Sequence, residues 1–100
     1  MIQIKVKYQG EQIEHVSIYG HAGYDEYGKD IVCAAVSSIV ITSINAMIRV
    51  DDASIQYQDN DGKVELSILK HDSMIDLLVV NMIDLLKELK QNYREYIKFK

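Results

Sequence analysis

Between Asp30 and Arg49 the chain carries 18 consecutive residues without a charged side chain. A run of this length lies at the lower limit for a helix that spans a membrane. The run nevertheless contains several polar residues, namely Ser37, Ser38, Thr42, Ser43 and Asn45. Segments with the pattern of strands also lie on both sides of it. We therefore predict a mostly buried helix of a soluble domain that runs from Asp30 to about Arg49, and a membrane span is the less favoured alternative.

Two pairs of strands are predicted, one on each side of this helix. Apolar and polar residues alternate over residues 2–8 and again over residues 12–19, and the turn residues 9–11 between them indicate a hairpin. After the helix, residues 55–57 and 64–68 show the same alternation. The Asp-Asn-Asp-Gly sequence at 59–62 is typical of a tight turn, and it predicts a second hairpin.

A second helix is predicted from about Asp72, with Asp72 or Ser73 as its N-terminal cap. Its apolar residues follow helical spacing, at Ile75, Leu78, Met82, Leu85, Leu86, Leu89 and Tyr93. The last residues, 96–99, suit either a short strand or a frayed tail. The sequence thus predicts one α+β domain over residues 1–100, in the order strand-strand-helix-strand-strand-helix, with both helices packed against an antiparallel or mixed sheet.

The net charge and the cysteine content indicate which kinds of partner and which cellular compartment the chain suits. The net charge of −4 argues against a protein that mainly binds nucleic-acid phosphates, so we expect no direct nucleic-acid partner. The single cysteine cannot form an intramolecular disulfide, which favours a reducing compartment. The N-terminus alternates apolar and polar residues instead of showing a signal-peptide pattern. We therefore expect a cytoplasmic protein without a membrane segment.

Cys33 is the first candidate for chemistry. If Asp30 caps the helix, Cys33 occupies the third helical position, where backbone amides and the helix dipole stabilise a thiolate. Free amides in this first turn would also be candidates for stabilising an oxyanion. The alternative is that Cys33 is a small core residue among apolar neighbours, and for an isolated cysteine that alternative is favoured.

His21 changes this balance because it lies 12 positions before Cys33, in the glycine-punctuated segment 20–29 that leads into the helix. An imidazole there can take the thiol proton and return it to a leaving amine. An exposed histidine without a catalytic role is the alternative. Asp30 is first a helix cap, and it could also orient His21. Ser37 lies one turn after Cys33 and could donate a hydrogen bond near the site, or bond its own backbone.

Metal sites are not indicated by the sequence. Residues 59–62 resemble part of a calcium loop, but Tyr57 and Ile68 would stand at its first and last ligand positions, and neither is a suitable ligand. One cysteine and three scattered histidines do not give a zinc spacing. We therefore expect neither a metal ion nor a cofactor.

The segment Gly20-His21-Ala22-Gly23-Tyr24, followed by residues 27–37 (Tyr-Gly-Lys-Asp-Ile-Val-Cys-Ala-Ala-Val-Ser), resembles the signature of the ribosomal-processing cysteine protease family, Prp. The resemblance implies that Cys33 is the nucleophile and His21 its acid–base partner, with supporting positions at Asp30 and Ser37. It further implies a homodimer that removes the N-terminal extension of large-subunit ribosomal protein twenty-seven, after a pair of aromatic residues in an apolar segment.

The resemblance also implies a mobile loop over the site, for which Gly20, Gly23 and Gly28 would be the hinges. From their positions we predict that Tyr24 and Tyr27 line the substrate groove. The main rival hypothesis is a non-enzymatic, ribosome-associated interaction module, in which Cys33 is core and the glycine-rich loop binds a partner. A thiol-dependent hydrolase with another substrate is a third possibility.

Overall fold

A computed structural model describes residues 1–26 and 30–100 of the chain. In these residues the chain forms five strands and two helices. In chain order these are β1 (Ile2–Gln9), β2 (Gln12–Tyr19), α1 (Ile31–Val50), β3 (Ile55–Asn60), β4 (Lys63–Ile68), α2 (Ser73–Asn92) and β5 (Ile97–Phe99). The α+β prediction and its element order are confirmed, and the C-terminal residues form a short strand instead of a frayed tail.

The strands form one mixed sheet in the order β3-β4-β2-β1-β5. The neighbouring strands β1, β2, β4 and β3 pair antiparallel, whereas β5 pairs parallel with β1. The turn between β3 and β4 has positive φ at both central residues, 46° at Asp61 and 89° at Gly62. Such a two-residue turn matches the twist of the strands, which explains why this Asp-Gly pair forms a hairpin.

Both helices pack on one face of the sheet, and the core lies between the helices and the sheet. Alternation along the strands places Ile4, Val16 and Leu66 on this face, where they are almost fully buried. The helices contribute apolar stripes to the same core, comprising Val32, Val36, Val40, Ile44 and Met47 from α1 and Ile75, Val79, Met82, Ile83 and Leu86 from α2. The apolar pattern predicted for α2 is thus confirmed at Ile75, Met82 and Leu86, whereas Leu85 is 37% exposed.

Helix α1 is less buried than its composition predicts. Only a third of its most apolar 18-residue window, with a mean hydropathy of 2.1, is buried. The prediction of a mostly buried helix is therefore wrong, because the sheet and α2 cover one side of α1 while Ile31, Ile41 and Ile48 remain exposed. In length and apolarity α1 would also suit a membrane, a property that core helices of soluble proteins share.

Both helices begin at aspartate caps. The Asp72 side chain accepts hydrogen bonds from the amides of Met74 and Ile75, which decides between the two predicted caps. Asp30 caps α1, as predicted. Because α1 begins near the end of β2, its N-terminus lies at the same end of the sheet as the β3–β4 turn, where a Cβ atom placed on Gly62 would be 3.8 Å from Cε1 of His21.

Candidate active site

Cys33 occupies the third residue of α1, the position that the sequence predicts. Its Sγ accepts a hydrogen bond of 3.3 Å from the backbone N–H of Ala22. The side chain is half-buried, and it lines an open groove beside the helix instead of being sealed in the core. A thiol held at a helix N-terminus and facing solvent has the surroundings of a reactive cysteine.

Asp30 joins the start of α1 to the segment before it. One carboxylate oxygen, Oδ1, accepts hydrogen bonds of 3.0 Å from the amides of Val32 and Cys33. The other, Oδ2, accepts one of 3.0 Å from the amide of Tyr24. Burial acts to raise the pKa of Asp30, but the hydrogen bonds from Cys33, Tyr24 and Val32 outweigh it and hold that pKa below its ordinary value. The charged carboxylate therefore joins the first turn of α1 to the segment that contains Tyr24.

The capping arrangement determines which backbone amides near Cys33 are already paired. The amides of Val32 and Cys33 are bound by the Asp30 carboxylate, and the amide of Ala34 donates to the Asp30 carbonyl. The amides of Val32 and Cys33 are thus already paired, contrary to the expectation that they are free, and the Ala34 amide makes the first intrahelical hydrogen bond. The Ala22 N–H donates to Cys33 Sγ and is therefore a hydrogen-bond donor beside the sulfur.

His21 lies in the same groove as Cys33. It follows Gly20, the first residue after β2, and directly precedes Ala22, whose amide donates to Cys33 Sγ. Its side chain is exposed, so it can meet both a substrate and solvent. The chain therefore brings the two predicted catalytic residues together, and their catalytic roles stay a prediction.

Ser37 also lines this groove, one helical turn beyond Cys33, and it is exposed. Its position fits a group that contacts a substrate bound along α1. The backbone-bonded serine of this helix is instead Ser43, whose hydroxyl donates to the carbonyl of Ile39 at 2.7 Å.

The predicted hinge glycines differ in their surroundings. Gly20 has φ of +96°, and a Cβ atom there would lie 2.4 Å from the carbonyl oxygen of Met1. Gly23 has φ of +70° and open space around it. Gly28 lies outside the described residues. Gly20 is therefore required by the close approach of another chain segment, whereas the hinge motion itself stays a prediction.

Tyr24 packs away from the groove, so the prediction that it lines the groove is wrong. Its ring meets the rings of Tyr93 and Tyr96 edge-on, with centroid distances of 5.8 Å and 5.2 Å. The described lining of the groove does not include Tyr24. Aromatic attraction to residues after α2 decides its position. The other predicted lining tyrosine, Tyr27, lies outside the described residues.

The groove has a volume of about 630 Å³. Its floor is apolar, formed by residues of β1, β2, β4 and α1, namely Ile2, Ile18, Val64, Val36, Val40 and Ile41. The β3–β4 hairpin closes one side with Asp59 and Gly62. The sequence places these two residues only in a turn, because nothing local in it indicates that this turn lies beside His21.

Acidic and imidazole groups lie near the groove, but within residues 1–26 and 30–100 no three histidine, cysteine, aspartate or glutamate side chains are grouped to hold a metal ion. The chemistry that the described residues offer is that of a thiol, an imidazole and backbone amides. This set suits acyl transfer through a sulfur nucleophile.

Comparison with known proteins gives a consistent result. Residues 1–98 match the family model described as cysteine protease Prp. The ribosomal processing cysteine protease Prp of Staphylococcus aureus (strain Mu50 / ATCC 700699) is 32% identical over 100 residues, covering 97% of this chain and 93% of that protein.

Two solved structures of Prp from S. aureus cover 100% of this chain and 98% of their own. One, in complex with a covalently linked product peptide, has a TM-score of 0.89 and 30% identity. The other, with a substrate peptide, has a TM-score of 0.88 and 26% identity. With the family model matched over nearly the whole chain and a thiol in the groove, the chain belongs to the Prp family of ribosomal-processing cysteine proteases.

Proposed function

We propose that this protease removes the N-terminal extension of large-subunit ribosomal protein twenty-seven, cutting after a pair of aromatic residues. The observation that carries the proposal is the placement of Cys33 Sγ. It lies at the start of α1, accepts a hydrogen bond from the amide that follows His21, and faces an apolar groove. An apolar groove beside a thiol suits a peptide whose residues at the cut are aromatic.

The reaction begins when His21 takes the proton of the Cys33 thiol and the thiolate attacks the scissile carbonyl carbon. The carbonyl π electrons move to oxygen, and the Ala22 N–H donates to the resulting oxyanion. When the tetrahedral intermediate collapses, the C–N bond breaks and the protonated His21 gives its proton to the leaving amine. The N-terminal part of the substrate remains bound to Sγ as a thioester.

Hydrolysis of the thioester completes the cycle. His21 takes a proton from a water molecule, and the hydroxide attacks the thioester carbonyl. Collapse of the second intermediate breaks the C–S bond and releases the extension as a carboxylic acid, and the protonated His21 returns its proton to the Cys33 sulfur. Throughout, Asp30 holds the His21 segment through the Tyr24 amide and keeps the helix start fixed, so it acts as a positioning residue.

A peptide that copies the ribosomal extension and the first residues after it tests this proposal. We expect the wild-type protein to cut it after the second aromatic residue, and Cys33→Ala and His21→Ala to lose cleavage. His71→Ala serves as the matched control, since His71 lies at the start of α2 and pairs with Asp76. Cleavage that persists in Cys33→Ala would contradict the mechanism, and cleavage of unrelated peptides alone would indicate another substrate.

We further propose that the protein acts as a cytoplasmic homodimer without a direct nucleic-acid partner. The net charge of −4 and the single cysteine support the location and the absence of nucleic-acid binding. Light scattering after size exclusion should give twice the chain mass of 11.5 kDa. A monomer mass that holds across concentrations would contradict the dimer.

A further inference from the structure

One face of the sheet carries no helix, and it is rich in lysine. Alternation along β1 and β5 directs the buried Ile4 and Ile97 toward the helices, so that their sequence neighbours point to the opposite face. Phe99 also faces the helices, since the ammonium group of Lys90 on α2 lies 5.6 Å from its ring centroid. The face opposite the helices, which we call the lysine face, carries five exposed lysines: Lys5, Lys7, Lys63, Lys98 and Lys100.

Charge is distributed unevenly between the lysine face and the rest of the chain. This face holds five of the 11 lysines and arginines, although the chain as a whole has a net charge of −4. Of the 15 acidic residues, Glu65 lies on this face, and Glu14 lies in the bulge at its β1–β2 end. The lysine face is therefore positive on a protein that is acidic overall, and it attracts an anionic partner to this side of the molecule.

The acidic residue in the middle of this face is already occupied. The Glu65 carboxylate accepts a hydrogen bond from the Ser17 hydroxyl, pairs with His15, and pairs with Lys63 at 3.3 Å. The other four lysines make no ion pair with a carboxylate in residues 1–26 and 30–100. Their ammonium groups repel one another, and carboxylates of a partner would relieve this repulsion.

Two of the lysines meet at one tyrosine. The ammonium groups of Lys63 and Lys100 each lie 5.7 Å from the ring centroid of Tyr19. Lys100 Nζ also donates a hydrogen bond of 3.2 Å to the Tyr19 hydroxyl. Two cations are thus held beside one ring at the end of β2, where a single anionic group can contact both of them.

The chemistry of the face distinguishes among anionic partners. Proteins that bind single-stranded RNA stack its bases on open aromatic rings or on arginines. The aromatic ring that the described part of this face offers is Tyr19, which is half-buried and covered by two lysines, and the five cations of the face are all lysines. A second copy related by two-fold symmetry would place lysine opposite lysine. An acidic protein segment meets neither difficulty.

We propose that the lysine face is a docking surface for an acidic segment of another protein, whose carboxylates pair with the lysines and whose strongest contact is at Tyr19, between Lys63 and Lys100. The surface lies on the side of the sheet away from Cys33. A bound partner therefore leaves the active-site groove open, and docking does not depend on which peptide the enzyme cuts.

A short acidic peptide tests the docking surface. The probe is a fluorescein-labelled peptide of six Glu-Ser repeats with blocked ends, because alternate residues of an extended chain face the same side. Binding is measured by fluorescence anisotropy with the wild-type protein. We expect saturable binding that weakens about tenfold between 20 mM and 200 mM salt, and no binding of the matching Gln-Ser peptide. Equal binding of both peptides would overturn the proposal.

Paired substitutions locate the bound peptide. We expect Lys63→Gln with Lys100→Gln to weaken binding about fivefold, and Lys5→Gln with Lys98→Gln to weaken it about threefold. Lys87→Gln with Lys90→Gln is the matched control, since these residues of α2 lie on the helix side and the net charge changes equally. It should weaken binding less than twofold. Equal losses in all three double variants would show attraction without a site and would overturn the proposal.

Two further measurements exclude the other occupants. Oligouridine of seven nucleotides carries six phosphates and matches the charge of the peptide, and we expect it to bind more weakly. Tighter binding of the RNA that Lys63→Gln with Lys100→Gln reduces would overturn the assignment to a protein partner. Light scattering should give the same mass for this variant and for wild type. A changed mass would mean that the face joins copies of this chain, and would overturn the proposal too.

Discussion

At the scale of single residues, the two oxygens of Asp30 serve two different structures. Oδ1 caps α1 through the amides of Val32 and Cys33, and Oδ2 holds the amide of Tyr24, three residues after His21. Because one carboxylate makes both contacts, it links the start of the helix that carries Cys33 to the segment that contains His21. Asp30 therefore caps α1 and also holds the segment that contains His21.

Substitution of Asp30 should separate these tasks. Asparagine can still offer Oδ1 to the helix amides, but its NH2 group cannot accept from the Tyr24 amide. We expect Asp30→Asn to keep a melting temperature close to wild type while kcat/KM falls about tenfold. Asp30→Ala should lose both activity and about 5 °C of melting temperature. Equal activity of Asp30→Asn and wild type would show that the Tyr24 contact is dispensable.

Tyr24 gives a second prediction at this scale, since its ring ties the His21 segment to Tyr93 and Tyr96. Tyr24→Phe keeps both ring contacts and should leave kcat/KM unchanged. Tyr24→Ala should lower the free energy of unfolding by about 1 kcal/mol and reduce kcat/KM. Denaturant unfolding and peptide cleavage measure the two effects. If Tyr24→Phe were as impaired as Tyr24→Ala, the hydroxyl and not the ring would be the important group.

At this scale, contacts between residues close in sequence could be predicted, whereas contacts between distant residues could not. The positions of His21, Asp30 and Cys33 relative to one another could be predicted, because a helix cap and a short connecting segment define them locally. The partners of Tyr24 could not, since Tyr93 and Tyr96 are about 70 positions away. The same holds for Asp59, which the register of β3 with β4 brings beside the groove.

At the scale of elements, the end of β2 passes directly against the start of β1. Gly20 is the contact point, with a positive φ and a Cβ direction that leads into the Met1 carbonyl oxygen. We expect Gly20→Ala to lower the free energy of unfolding by about 3 kcal/mol, from steric overlap and backbone strain together.

Gly23→Ala is the matched control for this prediction, because it has a similar φ but open space around it. Backbone strain alone should cost about 1 kcal/mol there. Chemical denaturation of both variants gives the comparison. Equal losses in the two variants would mean that the Met1 contact relaxes without cost.

Periodicity in the sequence predicts where helices and strands lie, but it predicts less well how deeply each one is buried. The alternation of β1 and the caps of both helices are local signals, and these elements appear at the predicted positions. The burial of α1 depends on how much of it the sheet and α2 reach. Its uncharged stretch predicts a mostly buried helix, yet Ile41 and Ile48 are exposed and line a cavity between α1 and β3. Apolar residues without a partner in the fold indicate a surface that binds a ligand.

At the scale of the whole molecule, the two faces of the sheet have different tasks. The face covered by the helices forms the core, and residues of this face also line the groove. The other face carries a polar network around Glu65. Its carboxylate accepts a hydrogen bond of 2.6 Å from the Ser17 hydroxyl and pairs with His15 Nε2. It also pairs with Lys63 at 3.3 Å. These contacts join β2 to β4 at the centre of the sheet, on the side away from the active site.

This network should make folding stability sensitive to acid. The Ser17 hydrogen bond, together with those of His15 and Lys63, outweighs the effect of burial and lowers the pKa of Glu65 from 4.5 to about 2. A carboxyl group with a lowered folded-state pKa stabilises the fold fully above its unfolded pKa, and this contribution is lost as the pH falls toward the folded value. The window for Glu65 is therefore from about pH 4.5 down to about pH 2.

Glu65→Gln tests the linkage, because glutamine keeps an acceptor for Ser17 but has no charge. We expect the variant to be less stable than wild type at pH 7 by about 1 kcal/mol, since the carboxylate is partly exposed and screened by solvent. The difference should shrink as the pH falls from 4.5 toward 2, with about one proton fewer taken up on unfolding. Urea unfolding at several pH values measures it. Glu88→Gln is the control, because Glu88 is an exposed residue of α2, and its free energy of unfolding should follow the wild-type pH dependence. If Glu65→Gln is less stable than wild type by the same amount at every pH from 4.5 to 2, the linkage is refuted.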